Sequence, residues 1–104
     1  MSNERRDVQK TKVIEKMPNS KYYSYLVRFG EIYTEMLGMN YFPGVRDLNY
    51  IRGVVLVLNS NVLGFDDYVR WICRTWRFQI KKMGTIALRR YLNEYIAQKK
   101  RGGL

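Results

Sequence analysis

Residues 21–37 read KYYSYLVRFGEIYTEML, and this stretch carries the strongest helical pattern in the chain. Its apolar side chains recur every three or four residues and share one face of a helix: Tyr22, Tyr25, Leu26, Phe29, Ile32, Tyr33 and Met36. Arg28, Glu31 and Glu35 fall on the opposite face, as expected for a helix half buried in a core. The pattern predicts an amphipathic helix over residues 20–37.

Beyond this helix, the same spacing predicts three more, over residues 47–61, 66–82 and 85–99. Asp47 is expected to cap the first of them and Thr85 the last. The apolar run VVLVL at 54–58 would also fit a buried strand, but no second strand pattern exists to pair with it. We therefore predict an all-α fold, a small single-domain bundle of about four helices.

The first 19 residues differ from the rest in composition. They carry five bases and three acids with few apolar groups, which predicts a flexible, charged N-terminal tail. The remaining helical part, residues 20–101, is long enough for one hydrophobic core. The expected organisation is a tail at 1–19 followed by one helical domain at 20–101.

Several classes of function are poorly supported by the composition. The chain has no histidine and a single cysteine, Cys73, so neither a disulfide framework nor a metal site is expected. Without histidine there is no nucleophile–base set, and no phosphate-binding glycine motif occurs. We expect no enzyme activity, no cofactor and no metal. The longest apolar run, five residues, is too short to span a membrane, and a cytoplasmic location with no membrane partner is predicted.

The positive charge is concentrated in the last third of the chain. Residues 70–104 carry ten bases against one acid, Glu94. These bases are Arg70, Arg74, Arg77, Lys81, Lys82, Arg89, Arg90, Lys99, Lys100 and Arg101. A basic balance confined to one segment is the electrostatic signature of a protein that binds a polyanion.

Four of these cations share one side of the predicted helix 66–82, at i, i+4, i+7 and i+11: Arg70, Arg74, Arg77 and Lys81. No acid on that side of the helix offsets their repulsion, and nucleic-acid phosphates are the commonest counter-charge. Trp71 and Phe78 lie at the border of this ridge. Trp71 is a candidate for stacking on a base, whereas Phe78 and Trp76 are expected to be core residues.

Arg89, Arg90 and Asn93 are expected on the solvent side of the helix 85–99. The helix–Gly84–helix connection admits a helix-turn-helix alternative, in which these side chains would reach base edges in a major groove. Arg90 argues against it, because that position of the motif needs an apolar residue. Arg90 also has an ordinary role available, as an ion-pair partner of Glu94 four residues later.

Taken together, these features predict a non-catalytic nucleic-acid-binding protein, with DNA favoured over RNA. The ten bases of residues 70–101 together with Trp71 and Asn93 are its candidate site. A small basic helical chain of this kind is typical of accessory factors in viral or mobile-element replication and transcription. The alternative is an adaptor that docks on an acidic surface of a larger replication or transcription enzyme, using the tail and exposed aromatics such as Tyr41 and Phe42. Strand type, sequence specificity and oligomeric state stay open.

Overall fold

The structure, a computed structural model, describes residues 20–102 and is all-helical over that range. A 3-10 turn at Ser20–Tyr22 leads into six helices: α1 (Tyr23–Leu37), α2 (Val45–Ser60), α3 (Phe65–Thr75), α4 (Arg77–Met83), α5 (Thr85–Arg90) and α6 (Leu92–Lys100). The all-α prediction is confirmed, and residues 54–58 lie in the middle of α2, so the strand alternative is wrong. The predicted tail at 1–19 lies outside the described residues.

The number of helices differs from the prediction because two of the four predicted helices are broken. The predicted helix 66–82 divides at Trp76, whose φ of −122° and ψ of 48° leave the helical region. The predicted helix 85–99 divides at Tyr91, with φ −101° and ψ 8°. The two breaking residues stack on each other, with ring centroids 4.3 Å apart and planes 13° apart. The stacking of Trp76 on Tyr91 places the two helix breaks side by side.

One continuous core forms where α1 packs against α3 and α2 packs against α5. The apolar face of α1, which the sequence pattern predicted to be buried, contributes Leu26, Phe29, Ile32 and Tyr33, and all four are buried. Ile51 and Leu58 of α2, with Leu88 of α5, are fully buried on the other side. Each such side chain contributes roughly 1.5–3 kcal/mol through the removal of apolar surface from water.

Asp47 joins the start of α2 to the start of α5. Its carboxylate accepts hydrogen bonds from the Gly44 N–H at 2.5 Å, the Tyr41 hydroxyl at 2.8 Å and the Thr85 hydroxyl at 2.5 Å. Gly44 is the N-cap of α2, and Asp47 caps the start of the helix from its third position, in a capping box, and not from the N-cap position. Thr85 is buried in the first turn of α5 and donates to Asp47, so the predicted capping role of its side chain is wrong.

Gly84 separates α4 from α5 at a point where the chain needs a glycine. Its φ is +61°, and a Cβ at this position would lie 2.7 Å from the Tyr41 hydroxyl oxygen. Both the left-handed backbone and the close approach of Tyr41 exclude a larger side chain. The Tyr41 ring therefore packs against the connection between α4 and α5 and leaves room only for a glycine there.

Candidate nucleic-acid interface

An aromatic cluster holds α6 alongside α3. The ring of Tyr95 in α6 lies 4.8 Å from that of Tyr68 and 5.1 Å from that of Trp71, and Tyr68 and Trp71 are themselves stacked at 6.0 Å. All three side chains are buried. This packing brings the basic end of the chain next to the basic residues of α3.

A cleft of about 350 Å³ opens between the two helices. Its lining comprises Asp67, Arg70, Trp71, Arg74, Tyr95 and Lys99. Four of these residues, namely Arg70, Trp71, Arg74 and Lys99, were predicted as site residues from the sequence alone. The sequence offered no sign that Lys99 would lie beside α3, because their proximity depends on the packing of the aromatic cluster.

Two of the four cations on the predicted ridge are engaged by the fold. The guanidinium of Arg70 binds both carboxylate oxygens of Glu35, at 2.8 and 3.3 Å. Arg77 donates to the backbone carbonyl of Met36 at 3.2 Å, where a cation stabilises the C-terminal end of α1. The ridge is also interrupted at Trp76. The expected unbroken row of four uncompensated charges is therefore wrong: Arg70 is paired with Glu35, and Arg77 is tied to α1 without a counter-charge.

Most of the other bases have no counter-charge in the part of the chain that the structure describes. Arg74, Lys81, Arg89, Lys100 and Arg101 are exposed and form no ion pair there. The only acid of the segment, Glu94, accepts a hydrogen bond from Gln98 at 3.3 Å.

Arg90 and Asn93 are both exposed, one near the end of α5 and the other in the first turn of α6. The Arg90 guanidinium donates to the sulfur of Met83 at 3.6 Å and forms no ion pair with Glu94, so Arg90 does not take the structural role that Glu94 offered it. Both side chains therefore remain accessible to a ligand on this side of the molecule.

Trp71 and Phe78 lie opposite to the expectation, because the candidate for stacking on a base is buried and the expected core residue is exposed. Trp71 is only 5% exposed, so neither face of its ring is open to a base, although it lines the cleft. Phe78, which was expected in the core, is 68% exposed, and the Lys82 ammonium lies 5.9 Å from its ring centroid. The break at Trp76 turns α4 relative to α3, and no local pattern in the sequence shows that turn.

Comparisons with protein-family models, with curated protein sequences and with solved structures returned no match. The function of the chain must therefore be inferred from the geometry and chemistry of its own residues.

The helix-turn-helix alternative finds little support in the geometry. The helix after Gly84, α5, has six residues and ends at Arg90, and its Ala87 and Leu88 are buried. Such a helix presents about a turn and a half to a groove, at 3.6 residues per turn. Arg89 is exposed on it, but Asn93 belongs to the next helix.

Residues 20–102 contain neither a metal-binding cluster nor a membrane-spanning helix. No group of three histidine, cysteine, aspartate or glutamate side chains is placed to hold a metal ion there. None of the helices in this range combines the length and apolarity needed to cross a bilayer. The Cys73 thiol is buried, and its burial raises its pKa to about 11.

Proposed function

We propose that this chain binds nucleic acid without catalysis, through the basic surface formed by α3, α4, α5 and α6. One observation carries the proposal: nine of the ten bases in residues 70–101 form no ion pair with another described residue. Only Arg70 is paired. Like charges this close together repel, and the phosphates of a nucleic acid are the counter-charge that such a surface most commonly meets.

The contacts that lead binding are proposed to come from the exposed or half-exposed cations of residues 74–101: Arg74, Lys81, Lys82, Arg89, Lys99, Lys100 and Arg101. Arg90 and Asn93, which are also exposed, would add to them. Arg70 and Arg77 belong to the same surface but are anchored to α1, so their main part is to fix the position of α3 and α4 against it.

Biologically, we propose a cytoplasmic accessory factor in replication or transcription, of the viral or mobile-element type, with DNA favoured over RNA. The factor would bind a nucleic-acid strand and would catalyse no reaction on it. Its partners would be the nucleic acid and a larger replication or transcription protein.

A titration of the full chain against fluorescent single-stranded DNA, duplex DNA and RNA at several salt concentrations tests this proposal. If four to six phosphates are engaged, log K on duplex should fall with log salt with a slope of about −4 to −5. Binding that is unaffected by salt, or no binding to any of the three probes, would reject the proposal.

A second candidate function, the protein adaptor, is favoured by one feature of the loop between α1 and α2. Phe42 is 84% exposed and Val45, three residues on, is 67% exposed, and a patch of exposed apolar residues would mark a contact site for another protein. Tyr41, in contrast, is held by Asp47 and by the rings of Phe29 and Tyr33.

The adaptor would use this loop together with the basic surface to dock on an acidic face of a larger replication or transcription enzyme. Replacing Phe42 and Val45 by serine separates the two functions, because an adaptor would lose its protein partner while its affinity for nucleic acid stayed unchanged.

A further inference from the structure

Asp67 is the one acid in the lining of a cleft whose other charged residues, Arg70, Arg74 and Lys99, are basic. The other five acids of residues 20–102 all have partners: Arg28 pairs with Glu31 and Asp66, Arg70 pairs with Glu35, Asp47 accepts three hydrogen bonds, and Gln98 donates to Glu94. The Asp67 carboxylate is exposed and has no hydrogen-bond or ion-pair partner among the described residues. A cleft that attracted only phosphate would be weakened by this charge.

Two cations in the same cleft are free to meet a phosphate. Arg74 is exposed in the last turn of α3 and forms no ion pair within residues 20–102. The Lys99 ammonium lies 5.8 Å from the centroid of the Tyr95 ring, a cation–π contact that holds it at the cleft. The third cation, Arg70, already binds Glu35 through two nitrogens. The cleft therefore offers a cationic pair and, at another point of its lining, a hydrogen-bond acceptor.

The volume of the cleft fits a small ligand. Its volume of about 350 Å³ lies at the lower end of the range for ligand sites, roughly 300–1,000 Å³. Its aromatic wall is formed by Trp71 and Tyr95, both buried. A duplex keeps its bases stacked inside, whereas an unpaired strand can place a single nucleotide in a recess of this kind.

From these features we infer that the cleft between α3 and α6 binds one nucleotide of a single-stranded nucleic acid. Arg74 and Lys99 bind its phosphate, and Asp67 accepts a hydrogen bond from an amino or hydroxyl group of its base or sugar. Phosphate contacts position a strand, and contacts to base or sugar supply selectivity. This inference rests on the proposed function and adds to it a preference for single strands.

The variant Asp67→Asn separates nucleotide recognition from simple attraction of a polyanion. We would measure its affinity for a mixed-sequence single-stranded DNA 12-mer and for heparin, which carries negative charge but no bases. Loss of one negative charge should tighten heparin binding about two- to five-fold, because attraction to a basic surface increases. Binding of the 12-mer should weaken about five-fold, because a charged acceptor makes a stronger hydrogen bond than an amide. Tighter binding of both probes would overturn the inference.

A pair of double variants with equal loss of charge tests the two cations. Arg74→Gln with Lys99→Gln removes two charges inside the cleft, and the control Lys81→Gln with Arg89→Gln removes two outside it. The cleft variant should lose at least ten-fold more affinity for the single-stranded 12-mer than the control, with equal losses on heparin.

Equal losses of both variants on the 12-mer would overturn the cleft site and leave the proposed function standing. An unmodified protein that bound no nucleic acid would overturn the proposed function itself. Because all four side chains lie wholly or partly at the surface, unfolding curves should show both variants folded.

Discussion

Arg70 and Glu35 connect α3 to α1 through a two-point ion pair, with Nη1 2.8 Å from Oε2 and Nη2 3.3 Å from Oε1. Planar guanidinium and carboxylate groups match well in this geometry. The pair orients the helix that supplies most of the cleft wall, and it withdraws one cation from the basic surface. Its consequences can be measured through the pH dependence of stability.

The hydrogen bond from Arg70, assisted by its charge, holds the pKa of Glu35 below the usual value of 4.5. Stabilisation from the pair is therefore complete above pH 4.5 and is lost as the pH falls through the lowered pKa of the folded state. In Glu35→Gln, melting temperature should fall less between pH 5 and pH 3 than in the unmodified protein. Thermal unfolding across this range, with Glu94→Gln as the control, checks the prediction; identical pH profiles for all three proteins would contradict it.

Gly84 is the position in the described fold where an added methyl group should be most harmful. In Gly84→Ala, the new Cβ would lie 2.7 Å from the Tyr41 hydroxyl oxygen and would sit on a backbone with φ +61°. We expect a loss of about 2 kcal/mol or more in unfolding free energy. Gly53→Ala is the matched control, because nothing lies within 4 Å of its Cβ in the interior of α2. It should stabilise the protein by up to about 1 kcal/mol, as measured by urea unfolding of both variants.

Phe78 is the exposed aromatic residue of the basic surface, with the Lys82 ammonium beside its ring. If it stacks on a base, Phe78→Ala should lower the affinity for single-stranded DNA by about 1–3 kcal/mol. Affinity for duplex DNA should change little, and melting temperature should not fall, because the side chain is 68% exposed. Fluorescence anisotropy with both probes provides the measurement. Equal affinity of variant and parent for single strands would remove Phe78 from the interface.

Cys73 should behave as an inert core thiol. Burial raises its pKa to about 11, so the reactive thiolate is scarce at neutral pH. A thiol reagent such as DTNB should react slowly with the native protein and at the rate of a free cysteine once denaturant unfolds it. Fast reaction of the native protein would contradict this account, because it would show that α3 opens readily and that Cys73 is not held in the core.

The sequence predicted those parts of the fold that depend on local periodicity. The face of α1 with Leu26, Phe29 and Ile32 is buried as its spacing required. The breaks at Trp76 and Tyr91 were missed, because they accompany the stacking of two rings that are far apart in the chain. A helical wheel assumes an unbroken helix, and the break at Trp76 lies just before Phe78, which was expected in the core and is 68% exposed.

The candidate site stays a prediction, and the sequence shows which of its residues carry charge but not how the fold arranges them. The concentration of bases in residues 70–101 can be counted along the chain. Arg70 pairs with Glu35, which is 35 residues away in the chain. Counting charges along the sequence cannot show a tertiary contact of this kind. The proximity of Lys99 to α3 is likewise set by the packing of Tyr95 on Trp71.

The central claim is that the free cations of α3 to α6 contact phosphates, and the salt dependence of duplex DNA binding tests it most directly. The double variant Arg74→Gln with Lys81→Gln should bind with a slope of log K against log salt that is shallower by about 2, because each phosphate that is no longer neutralised removes roughly 0.9 from the slope. The control, Arg46→Gln with Arg52→Gln, removes two exposed bases of α2 and should leave the slope unchanged. Equal slopes in the parent and both variants, or the same reduction in each variant, would contradict the account.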